Sequence, residues 1–147
     1  MKKKSFIPMA VVSLLIVSLL SSCYEEEVWL EDNIDPSGEY FPVIYMNGLN
    51  SEYQADDPVP VVLEYFSLGT LEEIVLYQQI GDNDEEVVLR TPPNGTFSEE
   101  KAQDVLTLTY TVPVIADTVD ITLRAEAINA NGLTKSSDDS FTAIPRP

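Results

Sequence analysis

Two segments of this chain alternate apolar and polar residues with a strict period of two. Leu106, Leu108, Tyr110 and Val112 are separated by Thr107, Thr109 and Thr111, and Ile121, Leu123, Ala125 and Ala127 by Thr122, Arg124 and Glu126. Side chains on an extended strand point alternately to opposite faces, so each segment offers one apolar and one polar face. A helix, with its 3.6-residue period, could not sort these residues in that way. A slip of one residue would drive Arg124 and Glu126 into the core, so the register is tightly specified. The two segments therefore demand a sheet that is buried on one side.

The chain past Gly38 continues in the same manner, with β-branched and aromatic runs between Pro, Gly, Asn and Asp. Candidate strands are Tyr40–Met46, Val59–Phe66, Glu73–Ile80, Glu85–Arg90, Val105–Val112, Val119–Asn129 and Ser140–Ile144. Val59–Leu63 is almost continuously apolar and suits a central strand, with Pro58 and Pro60 at its start, where a missing N–H is tolerable. Gly81-Asp82-Asn83-Asp84 reads as a hairpin connection whose Gly and Asn can adopt positive φ. Ser98–Asp104 is short and polar, a turn at most. About seven short strands with polar turns make an all-β sandwich the expected fold.

The segment Leu123 to Ser137 carries a strand that runs into Asn131-Gly132, a left-handed turn pair, and then a Ser-rich last strand. It resembles the end of a fibronectin type III or bacterial immunoglobulin-like domain. That resemblance implies one immunoglobulin-like/fibronectin type III-like β-sandwich over residues 39–147.

The N-terminus is of a different kind. Lys2, Lys3 and Lys4 precede an apolar run from Phe6 to Leu20, which ends in Leu20-Ser21-Ser22-Cys23. The run is short for a membrane span and ends in small residues. It resembles a bacterial lipoprotein signal peptide, residues 1–22, which implies cleavage before Cys23 and lipidation of its thiol. Two or more acyl chains would suffice for stable anchoring. Residues 23–38 form an acidic tether. Its Glu25, Glu26 and Glu27 resemble the export signal that places Bacteroidetes lipoproteins on the outer leaflet of the outer membrane. Within it, Val28-Trp29-Leu30 is apolar enough to tuck against the base of the domain or a membrane partner.

The protein contains no histidine, and Cys23 is its only cysteine. These absences remove Ser-His-Asp triads, Cys-His pairs and ordinary zinc sites from consideration. The formal net charge is −17, and the three lysines of the signal leave on processing, so the mature protein is more acidic still. Such a surface repels nucleic acid and anionic lipid. No acid sits in an apolar context that would raise its pKa for glycosidase chemistry, so the protein is expected not to be an enzyme and to need no cofactor.

As a whole, the chain resembles small immunoglobulin-like surface lipoproteins of Bacteroidetes, of the SusE/SusF-like accessory family that serves SusC/SusD-type glycan importers. The resemblance implies an accessory or glycan-binding module of an outer-membrane nutrient-uptake system, with an importer or a neutral glycan as partner. The alternative is a structural or assembly protein of the envelope or fimbriae that contacts another protein through a strand edge. With Leu63 inward, Tyr65 also faces inward and Phe66 outward. The same counting puts Tyr77, Gln79 and Val75 outside, so Phe66, Tyr77 and Gln79 are the candidate ligand platform. Asp82, Asp84, Glu85 and Glu86 lack the spacing of an EF-hand loop and read, like Asp138-Asp139, as solvated acids rather than a metal site. Asp117-Thr118-Val119 matches a short Bacteroidetes O-glycosylation sequon, which makes Thr118 the candidate acceptor. Asn94-Gly95-Thr96 is formally an N-glycan acceptor but reads as a turn after Pro92-Pro93.

Overall fold

The computed structural model describes residues 33–147. Cys23, the acids Glu25, Glu26 and Glu27, and Trp29 lie outside the described residues, as does the whole signal segment. The described chain forms nine strands: β1 (Val43–Asn47), β2 (Glu52–Gln54), β3 (Pro58–Phe66), β4 (Leu71–Ile80), β5 (Glu86–Thr91), β6 (Thr96–Ser98), β7 (Gln103–Thr111), β8 (Val119–Asn129) and β9 (Thr134–Ile144). They build two sheets, β1-β3-β7-β6 and β2-β9-β8-β4-β5, packed as a sandwich of immunoglobulin-like type. All pairings are antiparallel except β2 with β9, which is parallel.

The alternation predicts the inner faces correctly. Leu108, Tyr110 and Val112 are buried opposite Ile121, Leu123, Ala125 and Ala127, and β3 adds Val59, Val61, Leu63 and Tyr65 from the middle of its sheet. Each fully buried Leu or Val side chain stabilises the fold by roughly 1.5–3 kcal/mol relative to an exposed one. Edge-on ring contacts tie Phe141 to Tyr53 at 5.0 Å and to Tyr110 at 6.2 Å between centroids.

Several details differ from the sequence reading. The sandwich has nine strands rather than about seven, because β2 and β6 are three residues long and carry no alternating signature. The last strand starts at Thr134, directly after the Asn-Gly turn, because its first half pairs with β8 while presenting mostly polar side chains. Tyr40 precedes β1 and makes an isolated bridge with Ile34. Phe41 N–H donates to the Asn33 carbonyl, so residues 33–41 fold back as a small hairpin, with Asn33 already buried. Asp35 closes that hairpin by accepting the Glu39 N–H at 2.8 Å and the Ser37 N–H at 3.1 Å.

Of the residues expected at positive φ in the two turns, only the glycines, Gly81 and Gly132, adopt it. Asn129 N–H donates to the Leu133 carbonyl and Gly132 N–H to the Asn129 carbonyl, which gives a three-residue loop needing one left-handed residue, not two.

Candidate functional site

The three residues of the expected platform do not form one surface. Phe66 lies on β3 of the four-stranded sheet, whereas Tyr77 and Gln79 lie on β4 of the five-stranded sheet. The inward and outward counting holds for Tyr65 and Phe66, but a count along each strand does not say which sheet the strand joins. The outer faces of the two sheets look in opposite directions, so Phe66 is separated from the other two by the thickness of the sandwich, roughly 10 Å between sheets. Val75, expected beside Tyr77 on that exposed face, is buried, flanked in register by Arg90 and Glu126.

Around Tyr77 the structure assembles a charged network that sequence reasoning missed. β4 pairs with β8 so that Tyr77 stands opposite Arg124. The guanidinium lies over the ring, 4.0 Å from its centroid, and its Nε and Nη2 grip both carboxylate oxygens of Glu85 at 2.8 and 2.7 Å. Tyr77 O–H donates to Glu126 at 2.8 Å, and Arg124 lies 3.7 Å from the same carboxylate. The bonds from Arg124 hold the Glu85 carboxyl below its usual range. Burial, then Glu126, pushes the Tyr77 hydroxyl up. A bidentate Arg–carboxylate pair with a stacked ring fixes geometry well. It also means that one ring face of Tyr77 is already occupied. The legible hint was Arg124, the one cation in the polar phase of its strand. Its partner Glu85 comes from a hairpin whose reach no local pattern encodes.

The remaining candidates are dispersed. Gln79 donates to the Asn83 carbonyl at 3.0 Å and so braces its own hairpin. Thr118 sits in an exposed loop just before β8. Among the described residues no group of three or more His, Cys, Asp or Glu is arranged to hold a metal. Gly95 of the formal N-glycan acceptor is a packing residue, its N–H donating to Tyr65 Oη at 2.7 Å.

Phe97 on edge strand β6 and Tyr45 on edge strand β1 are individually more exposed, at 61% and 50%, but the consecutive run of exposed large apolar residues lies on β5, the last strand of the five-stranded sheet. Val87, Val88 and Leu89 are consecutive, with 48%, 41% and 38% of their surface exposed. The pairing with β4 shifts register here: Leu76 stands opposite Leu89 and Tyr77 opposite Val87, which leaves Val88 as an extra, bulged residue. One end of the strip meets the acidic hairpin at residues 82–86. The other meets a shallow depression lined by Glu72, Glu73, Arg90, Thr91 and Pro92, in which Arg90 bonds Glu73 at 2.7 Å.

No protein-family model matches the chain, and no curated protein is significantly similar to it.

Proposed function

We propose that this chain is a non-enzymatic lipoprotein, anchored through Cys23 in the outer membrane with its sandwich on the cell surface. There it acts as an accessory or assembly subunit that holds another protein, within a nutrient-uptake system or a related envelope structure. The observation that carries the protein-contact reading is the consecutive run Val87-Val88-Leu89, all three exposed on an edge strand. An apolar run left exposed on an edge strand is a candidate contact surface. A glycan-binding role draws less support: the ring of Tyr77 is covered by Arg124 on one face, and Phe66 belongs to the other sheet.

A photo-crosslinking amino acid at position 88 tests the reading on whole cells. The expected result is a discrete protein adduct from position 88 and none from an exposed polar position such as Thr109. Absence of any protein adduct, together with retardation of the lipid-free domain in a neutral-glycan affinity gel, would return the function to sugar binding.

A further inference from the structure

Resting on that protein-contact reading, we propose that the β5 edge is a convex apolar ridge that docks, by its side chains, into an apolar groove rimmed by Lys and Arg on a partner protein. The bulge is the first ground. Because Val88 is the extra residue, Val87 shares the outer face of Tyr77 while Leu89 shares the core face of Leu76. The three apolar side chains therefore fan around the sheet edge instead of alternating along it. A bulge of this kind also bends an edge strand and blunts it against pairing with a further strand. An added strand spanning the edge would find Val87 and Leu89 on opposite faces, which no single register matches. The contact is thus made by side chains entering a groove, not by backbone strand addition, and a second copy paired through β5 is disfavoured for the same reason.

Charge is the second ground. Of the five basic residues among those described, Arg90, Lys101, Arg124 and Arg146 each already hold a carboxylate of the same domain: Glu73, Glu64, Glu85 and Asp57. The fifth, Lys135, lies on β9, three strands away from β5 in the sheet. The ridge is bordered by Asp82, Asp84 and Glu86 at one end and at the other by Glu72 and the paired Arg90 and Glu73, so both ends are net acidic on a protein whose formal net charge is −17. A second acidic molecule would be repelled at such a border, whereas a basic rim is attracted and steered.

The experiment uses the full-length protein with a photo-crosslinker at position 88, irradiated in detergent-solubilised envelopes, with the crosslinked partner peptide sequenced. The proposal expects a peptide in which apolar residues are flanked by Lys or Arg. It also expects an adduct yield that falls severalfold between about 0.1 M and 1 M salt, over which the screening length shrinks from about 10 Å to about 3 Å. Asp82→Lys with Asp84→Lys, placed on an exposed hairpin tip, should lower the yield severalfold at low salt while leaving the thermal melt unchanged. Removing the bulge by deleting Val88, with the crosslinker moved to position 87, should also lower it. If the adduct is a second copy of this chain or an acidic or uncharged segment, or if its yield is indifferent to salt and to the two lysines, the inference is overturned while the protein-contact reading stands. If position 88 gives no protein adduct at all, both fall.

Discussion

Gly95 sits on the segment that carries the chain from β5 across to β6, and a Cβ built there would lie 2.5 Å from Tyr65 Oη and 3.0 Å from the Val105 carbonyl. The backbone on one side of that approach cannot retreat without disturbing β7. Gly95→Ala is expected to cost about 1–3 kcal/mol in urea unfolding, the range for overpacking. Tyr65→Phe removes the crowded oxygen, so in the Gly95→Ala background it should recover part of the loss; strictly additive costs would point to another cause. Ala102 presents the opposite case, a side chain in left-handed backbone at φ 52°. Ala102→Gly should stabilise by about 1 kcal/mol in the same measurement.

Tyr110, buried and donating to Gln78 Oε1 at 2.6 Å, has its hydroxyl pushed up to about 12, first by burial and then by Glu86. A folded-state value above the unfolded one contributes stability that is complete below pH 10.0 and lost as pH rises toward about 12. The melting temperature should fall across that window, and Tyr110→Phe should flatten the fall. Tyr65 and Tyr77, shifted in the same direction, would supply the slope that remains.

At the level of the strand, the register of β8 makes the sharpest prediction. Leu123 is fully buried and Thr122, its neighbour, is half-buried on the other face. Leu123→Ala should cost about 2–5 kcal/mol and Thr122→Ala well under that, measured by denaturant unfolding. Equal costs would contradict the register. Strands such as β7 and β8 were legible because a half-buried strand must alternate, and that alternation is written residue by residue. β2 and β6 were not, since three residues that pair at an edge need no pattern of their own. The same limit governed the site. Counting along β3 and β4 placed Phe66 and Tyr77 on outward faces, but two outward faces become one surface only if the strands share a sheet, and that depends on long-range pairing. The bulge at Val88 was equally hidden, because the run Val87-Val88-Leu89 reads as an ordinary buried strand until its neighbour is known.

Across the whole molecule, β9 runs from Thr134, beside the turn at Asn129, to Ile144, whose carbonyl accepts the Ala55 N–H. Asn129 also bonds the Tyr40 carbonyl at 3.2 Å and Ser67 Oγ at 2.8 Å, so the chain enters at one pole of the sandwich and ends at the other. Eleven strand residues separate the poles by roughly 35 Å. In the proposed anchored protein this holds the β4–β5 hairpin on the pole away from the membrane. Cys23→Ala should abolish labelling by a fatty-acid probe and move the protein to the soluble fraction; a substituted protein that stays membrane-bound would refute the anchor. Replacing Glu25, Glu26 and Glu27 by Ala should preserve labelling but lower protease accessibility on intact cells, and equal accessibility would remove them as an export signal.

The small hairpin of residues 33–41 also has a mechanical consequence. A pull along the tether meets its cross-links in series, Phe41 to Asn33 and then the Asp35 turn, so they peel one at a time. Past the hairpin the load enters β1, whose five residue pairs with β3 lie side by side along the pull and must shear together. Under load from a held partner the hairpin would therefore yield first. It would pay out roughly 30 Å of chain while the sandwich, and the ridge it presents, stay folded.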